Sequence, residues 1–271
     1  MLNFISTPIG NLNDISLRAI EVISNSDYLY SEDTRNIKKL LNHINCKKIS
    51  KSFHEHNEEK LILEILDLVR DKKSVSIVTD AGTPAISDPG YKLIQQCIKK
   101  NIVFSLIPGP SAVISGLVMS GLPTNQFSFY GFIPRKKNDQ ENFFKSAKND
   151  TKTSIFFESP KRLKRSINNM QKIFEPSRRI SICKEMTKLH ENIIIGNLSN
   201  IMKTIEEKSI LLKGEIVLVL EGSLIKNKKL EINKKVKSAF LEKLSVSDAA
   251  KLISLITKKN KRDVYDYLIE K

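Results

Sequence analysis

The sequence has little of several features that would place it in familiar classes of protein. No apolar run approaches the roughly 18 residues that span a membrane, and the first ten residues, MLNFISTPIG, have neither the basic segment nor the long apolar core of a signal peptide. The three cysteines, Cys46, Cys97 and Cys183, are far apart and odd in number, so they predict neither a CxxC site nor a disulfide framework. We therefore expect a cytoplasmic chain with no membrane segment.

Acidic residues are too few to balance the basic ones. The chain has 45 Lys and Arg residues against 30 Asp and Glu, a net charge of +15, and residues 226–271 alone contain thirteen basic and six acidic residues. Such an excess predicts a polyanionic partner, most often a nucleic acid. The alternative is an AT-rich genome, which would enrich the chain in Lys, Ile and Asn without any such partner.

The common phosphate-binding motifs are missing as well. No GxGxxG follows a predicted strand, and no Walker GK[ST] is present. In their place, VTDAGTPAISDPG follows the apolar run SVSI and contains two glycines, two prolines and the acids Asp80 and Asp88. The glycines allow close backbone approach and the prolines fix the shape of the loop. The segment therefore predicts a ligand loop suited to a flat, polar and cationic molecule.

Strands and helices alternate along the chain, which predicts an α/β fold. Residues 1–121 read as a parallel domain, 122–225 as a second α/β domain with some antiparallel pairing, and 226–271 as a basic tail with a pair of short helices, the first capped by Ser247. Five loops in the first domain begin where a strand ends, and in a parallel sheet those ends share one edge, where ligands bind. The sequence thus predicts a site at that edge; the alternative is five ordinary turns.

Nine segments together resemble the tetrapyrrole methylase superfamily, and within it the branch that acts on 16S ribosomal RNA. The resemblance covers nearly the whole chain. The segments are TPIGNLNDISLRA, SEDTR, HEHNE, VTDAGTPAISDPG, PGPSA, GLPTNQFSFYGFIPRK, FFESPKR, KEMTKLHE and KGE.

The resemblance implies two α/β domains with a cofactor cleft between them, S-adenosylmethionine as cofactor, and a homodimer. The implied reaction is 2′-O-methylation of a cytidine in the 16S RNA of the 30S subunit. The chain has DAGTP where the tetrapyrrole-modifying branch has a GxGDP-type loop, which argues against a corrinoid or sirohaem substrate. By resemblance, the cofactor-binding residues are Pro8, Asp80, Ala81, Gly82, Ile86, Ser111 and Ala112.

Such a reaction calls for a general base, and the sequence leaves its identity open. A ribose hydroxyl is a poor nucleophile until it is deprotonated. The candidates on the edge loops are Glu32, Asp33, His54 and Asp88. The two histidines of HEHN also suggest a metal, but spacing places no third ligand, and we expect no metal site; the segment could equally be a solvated loop.

Basic and polar residues near these loops are candidates for RNA contact. They are Arg35, His56, Asn57, Arg135, Lys184, Lys188, Lys259 and Arg262, with Lys258 and Lys261 beside the last two. The alternatives are a structural ion-pair cluster for SEDTR and solvated surface charge for the rest.

Two other functions fit the sequence less well. One is a tetrapyrrole methyltransferase, and the other is a non-catalytic ribosome-assembly factor that binds RNA.

Overall fold

A computed structural model describes residues 1–207, 214–223, 234–257 and 259–269. Its contacts group the chain into two compact units, Met1–Gly222 and Ser223–Lys271. Within the described ranges, no helix is both long and apolar enough to cross a membrane.

The first half of the larger unit is built on a five-stranded parallel sheet, as the alternating pattern predicts. The strand order is β3-β2-β4-β1-β5. The strands are β1 (Leu2–Ile5), β2 (Tyr28–Ser31), β3 (Ser50–Ser52), β4 (Val75–Val78) and β5 (Phe104–Ile107). The helices are α1 (Leu17–Asn25), α2 (Thr34–His43), α3 (Glu58–Arg70), α4 (Tyr91–Lys99) and α5 (Ala112–Met119), and a short 3-10 helix covers Leu12–Asp14.

Apolar side chains cover both faces of this sheet. Successive residues of a strand point to opposite faces, and the neighbours Phe4 and Ile5 accordingly belong to different core clusters. Phe4 packs in the cluster that contains Ile65 of α3 and Leu93 of α4, while Ile5 packs in the one that contains Ile23 of α1. A sheet covered on both faces leaves its carboxyl edge as the place for polar loops.

The second half has a mixed five-stranded sheet, which confirms the expected α/β architecture with antiparallel pairing. The order is β6-β7-β10-β8-β9, with β6 and β7 parallel and the other neighbours antiparallel. The strands are β6 (Phe127–Phe132), β7 (Thr153–Glu158), β8 (Arg179–Lys184), β9 (Asn192–Asn197) and β10 (Ile216–Leu220). The helices are α6 (Lys137–Ala147), α7 (Pro160–Ile173) and α8 (Ile201–Glu207).

The two halves share a core cluster. Ile9, Val113 and Leu117 from the first half pack with Met186 and Val217 from the second. Both sheets belong to one compact unit, Met1–Gly222, so the contacts do not test the domain boundary proposed at residue 121, which stays a prediction.

The smaller unit is helical, as its sequence predicts. The expected pair of helices is present and a third described helix precedes it, but the predicted cap is wrong. It contains α9 (Lys234–Leu241), α10 (Val246–Thr257) and α11 (Lys261–Ile269). Ser247 lies inside α10; Ser245 stands just before that helix and its Oγ accepts the backbone N–H of Asp248 at 3.2 Å. The helix therefore starts two residues earlier than the pattern indicates. Lys258 lies outside the described residues.

Candidate active site

A cavity of about 380 Å³ lies between the two sheets, at the carboxyl edge of the parallel one. Its volume falls within the roughly 300–1,000 Å³ of small-molecule sites. The first half contributes Ile9, Glu32, the loop after β4 and the start of α5. The second half contributes Phe132, residues 157–160, Met186 and residues 214–217.

The conformation of the loop after β4 is set by backbone hydrogen bonds and by residues with positive φ. Gly82 has a positive φ of 83° and forms a two-way backbone bridge with Thr7, in which Thr7 N–H donates to Gly82 O at 2.9 Å and Gly82 N–H to Thr7 O at 3.1 Å. Further along, the non-glycine residues Ala85 and Ser87 also have positive φ. This bridge ties the first and fourth edge loops together beside the cavity.

Five carboxylates line the cavity in the described part of the chain. Glu32, Asp80 and Asp88 belong to its first-half wall, and Glu158 and Glu215 to its second-half wall. Burial, followed by the charges of Glu32 and Asp80, raises the pKa of Asp88 to about 7. Burial and the charge of Asp80 likewise raise the pKa of Glu32. Carboxylates that crowd each other in this way favour a cationic ligand and leave one of their number able to exchange a proton near neutral pH.

Asp80 also organises the second edge loop. Its Oδ1 accepts the backbone N–H of Asp33 at 3.0 Å, and its Oδ2 accepts from the side-chain amide of Asn36 at 2.8 Å. Asp33 is the N-cap of α2 and accepts the N–H of Arg35 at 2.8 Å. Asp80 thus combines a place in the cavity lining with the role of fixing the start of α2.

Asp33 and Arg35 form an exposed ion pair that is not part of the cavity lining. The Arg35 guanidinium donates to both oxygens of Asp33, at 2.7–3.2 Å, and this holds the pKa of Asp33 at about 2. The Arg35 side chain nevertheless stays 88% exposed. Asp33 is therefore a poor base, while Arg35 is held in place with its outer side open to a ligand.

The HEHN segment lies next to Glu32 and outside the cavity lining. The Nδ1 atom of His54 is buried and has no hydrogen-bond partner among the described residues. Asn57 folds the segment, since its Oδ1 accepts the N–H of His54 at 2.8 Å and its Nδ2 donates to Ser52 O at 3.0 Å. His56 is exposed and its ring lies 5.9 Å from that of His54. Within the described ranges, no three His, Cys, Asp or Glu side chains group so as to hold a metal.

The remaining predicted residues fall into three places. Pro8 is buried beside Ile9, whereas Ile86, Ser111 and Ala112, with Ala81 and Gly82, line the cavity. Lys184 is buried at the end of β8, and Lys188 is bound to Glu185 at 2.9 Å and to the cavity residue Glu215 at 3.2 Å. Arg135 is exposed three residues after Phe132, while Lys259, Lys261 and Arg262 belong to the smaller unit.

The second-half wall of the cavity was not assigned from the sequence. Phe132 and Phe157 are paired partners on the parallel strands β6 and β7, and their rings meet edge to face at 5.2 Å. Glu158 follows, with its side chain fully buried and bound to Arg162 at 2.6 Å. The segments GFIPRK and FFESPKR could have indicated this wall, since each runs from a strand into a loop as the first-half motifs do.

The start of α5 leaves its first-turn N–H groups without a side-chain cap. Ser111 is the N-cap, but its hydroxyl makes no capping hydrogen bond. Uncapped N–H groups at a helix N-terminus carry partial positive charge and suit an anionic group. The cavity therefore combines a cluster of carboxylates with an electropositive helix end.

The two α/β halves and the cavity between their sheets agree with the family that the sequence matches. Residues 1–202 match the family model for Tetrapyrrole (Corrin/Porphyrin) Methylases, and the chain belongs to this family. This confirms the resemblance and the fold class predicted from the sequence. S-adenosylmethionine is the methyl donor of the methyltransferases in this family.

The sequence relatives are more specific. The chain is 43% identical over 221 residues to the Thermotoga maritima protein named ribosomal RNA small subunit methyltransferase I, covering 82% of this chain and 98% of that protein. It is 41% identical over 222 residues to the protein of the same name from Halalkalibacterium halodurans, covering 82% and 76% of the two chains.

Solved structures share the fold at low identity. A cobalt precorrin-4 methyltransferase matches with a TM-score of 0.60 and 13% identity, over 81% of this chain and 94% of that one. Uroporphyrin-III C-methyltransferase from Thermus thermophilus, complexed with S-adenyl homocysteine, matches with a TM-score of 0.53 and 13% identity, over 81% and 96%. At such identity these neighbours support the fold alone.

Proposed function

We propose that this protein transfers the methyl group of S-adenosylmethionine to the ribose 2′-oxygen of a cytidine in the 16S RNA of the small ribosomal subunit. The names of the relatives support a small-subunit ribosomal RNA substrate. The cytidine and its 2′-oxygen follow from the family resemblance of the nine segments. We expect the protein to act in the cytoplasm as a homodimer, also by resemblance.

The cavity residues fit the methyl donor. The donor supplies a methyl group already activated on a positively charged sulfur, and Glu32, Asp80 and Asp88 offer that charge three carboxylates. The uncapped start of α5 at Ser111 and Ala112 suits the donor's own carboxylate. The backbone at Ala81 and Gly82 would hold the remainder by close approach.

The acceptor requires positioning and a base. Alignment of an oxygen with the methyl carbon can supply about 7–11 kcal/mol of the barrier, and a positioned base adds about 10²–10⁴-fold. Two of the four candidates, Glu32 and Asp88, line the cavity and have a raised pKa. We choose Asp88 as the base because its pKa is about 7, near the pH at which the protein would act. Asp33 lies outside the lining with a pKa of about 2, and His54 lies outside it too.

One observation carries the proposal. A proton acceptor tuned to neutral pH and a cluster of negative charge share one cavity with the uncapped start of α5. Donor alignment and removal of the hydroxyl proton can therefore occur in the same place.

Incubation with labelled S-adenosylmethionine tests the function. The acceptors are 30S subunits, protein-free 16S RNA and uroporphyrinogen, and labelled RNA is digested to nucleosides for mass spectrometry. We expect label in RNA, as 2′-O-methylcytidine. Label in the porphyrin alone, or on a base, would overturn the proposal, and RNA binding without any transfer would favour an assembly factor.

A further inference from the structure

The loop between β6 and α6 is fixed from beneath by three side chains. Its successive carbonyl oxygens, at Ile133, Pro134 and Arg135, each accept a hydrogen bond. Arg162 Nη1 donates to the first at 3.0 Å, Gln140 Nε2 to the second at 2.8 Å, and Arg165 Nη2 to the third at 2.7 Å. The backbone polar groups of the loop thus face α6 and α7, and the loop has a defined shape before any ligand arrives.

This fixed loop presents basic side chains to solvent. Arg135, Lys136 and Lys137 are exposed in succession, and Lys161 and Arg165 are exposed on the neighbouring helix α7. We call these five residues the basic ledge. Within the part of the chain that the structure describes, none of the five forms an ion pair, although Lys164 on the same helix pairs with Glu206 at 3.7 Å. The acids closest in sequence on α6 are Asp139, which is exposed, and Glu141, which is half-buried.

The charges on α7 oppose the helix dipole. The helix begins at Pro160, has no acid in its first turn, and has Lys161, Arg162, Lys164 and Arg165 within its first six residues. Cations at a helix N-terminus are unfavourable, because the helix dipole places partial positive charge there. Arg162 is accounted for by its ion pair with Glu158. Lys164 pairs with Glu206, and Arg165 holds the Arg135 carbonyl. Of the four, only Lys161 has no such partner among the described residues, and an anionic ligand would give it one.

The ledge adjoins the cavity. Phe132, Ser159 and Pro160 line the cavity, and the ledge residues follow within five positions of them, beyond the carboxyl ends of the parallel pair β6 and β7. Arg162 links the two segments, since its Nε donates to Ser159 Oγ at 3.0 Å while its Nη1 holds Ile133 O. A polyanion lying on the ledge would thus pass close to the cavity.

We propose that the basic ledge binds the phosphate backbone of the RNA strand next to the nucleotide that enters the cavity. The inference rests on the proposed function, in that the strand is taken to be the RNA substrate. Contacts of Lys and Arg with phosphates position a strand without reading its sequence. The ledge therefore sets the affinity and register of the RNA, and the cavity residues perform the transfer.

A triple variant tests the ledge. Lys136→Gln, Lys137→Gln and Lys161→Gln remove three charges and leave Arg162, Arg165 and Gln140 to hold the loop. The matched control is Lys73→Gln, Lys99→Gln and Lys100→Gln, which removes the same charge before β4 and β5, at the opposite edge of the parallel sheet. Both variants are compared with the unchanged protein by thermal unfolding, by calorimetry with S-adenosylmethionine, and by binding of a 16S RNA fragment at several salt concentrations.

We expect the ledge variant to bind RNA at least 10-fold more weakly than the control. The slope of log affinity against log salt should be smaller by about 2, since each single-strand phosphate contact accounts for about 0.7. Its KM for 30S subunits should rise with kcat within 3-fold, and its affinity for S-adenosylmethionine should stay within 2-fold. RNA affinity equal to that of the control would overturn the ledge, as would weaker binding to 30S subunits with unchanged binding to the RNA fragment, which would indicate a protein contact.

The design separates the two proposals. If the unchanged protein methylates no RNA but binds it through the ledge, the proposed function fails and the ledge stands. If it methylates RNA and the triple variant behaves like the control, the ledge fails and the function stands.

Discussion

Asp88 is in an environment that opposes its charge. It is partly buried, shares the cavity with Glu32 and Asp80, and has a pKa of about 7 in place of the ordinary 3.8. Between about pH 4 and pH 7, the folded protein keeps the Asp88 proton while the unfolded chain has lost it, because the pKa is higher in the folded state. Stability therefore falls as the pH rises through this range. The ionised carboxylate therefore reduces stability above pH 7, where the proposed base is ready to accept a proton.

Asp88→Asn should separate stability from activity. The variant lacks the unfavourable charge, so its melting temperature should exceed that of the unchanged protein at pH 8, by a margin that shrinks as the pH falls toward 4. Methyl transfer should fall by about 10²–10⁴-fold, and the unchanged protein's kcat should rise with pH through about 7. Thermal unfolding and single-turnover assays between pH 5 and pH 8.5 measure both effects.

Asp14→Asn, on the exposed short 3-10 helix, is the matched control and should change neither quantity. Full activity in the Asp88 variant would remove this residue as the base. An unfolding margin that does not depend on pH would show that its carboxyl group is not held at a raised pKa.

At the scale of elements, α5 joins the two halves of the larger unit. Its first residues line the cavity, and its middle packs so closely on β10 that a Cβ built at Gly116 would lie 2.8 Å from Val217 Cγ1. The Gly116 carbonyl also accepts a weak hydrogen bond from Cys183 Sγ at 3.6 Å. Glycine is needed at position 116 because α5 and β10 approach so closely, and not because of its backbone conformation.

Gly116→Leu should therefore destabilise the fold by about 1–3 kcal/mol through overpacking. It should also weaken binding of S-adenosylmethionine, since the start of α5 would move. Thermal unfolding and calorimetry measure the two effects. Val118→Leu, at a position of the same helix that is 64% exposed, is the control; equal melting temperatures for the two variants would contradict the packing argument.

The sequence predicts the first half of the site better than the second. Each of the five first-half strands is followed by a polar or Gly- and Pro-containing loop. Parallel topology alone brings those loops to one edge, so Asp80, Asp88 and Ser111 could be assigned to that edge without coordinates. Phe132 and Glu158 could not. Their position depends on the parallel pairing of β6 with β7, a bulge after Phe129, and the packing of the second sheet against α5, all of which are set by contacts distant in sequence.

Local patterns also misplaced the cap of α10. Ser245 and Ser247 flank its first residue, Val246, and either could cap a helix. Only the hydrogen bond from the Asp248 N–H to Ser245 Oγ shows that Ser245 is the cap. Similarly, the sequence shows that Arg135 is basic but not that three neighbouring carbonyls are fixed beneath it.

For the molecule as a whole, the central claim is that one cavity between two sheets brings donor and acceptor together. The shared core of Ile9, Val113, Met186 and Val217 holds both walls, so the cavity is part of the folded structure. Part of the excess of basic residues lies on the basic ledge, where we propose that it contacts the phosphates of the RNA.

Calorimetric titration with S-adenosylmethionine tests this claim most directly, using the unchanged protein, Ala81→Phe and Ala239→Phe. Ala81 lines the cavity, and Ala239 is an exposed residue of α9 in the smaller unit. The account predicts one donor bound per chain, affinity at least 10-fold weaker in the Ala81 variant, and no change in the Ala239 variant, with all three proteins folded. Equal affinity in the two variants, or no binding by the unchanged protein, would contradict it.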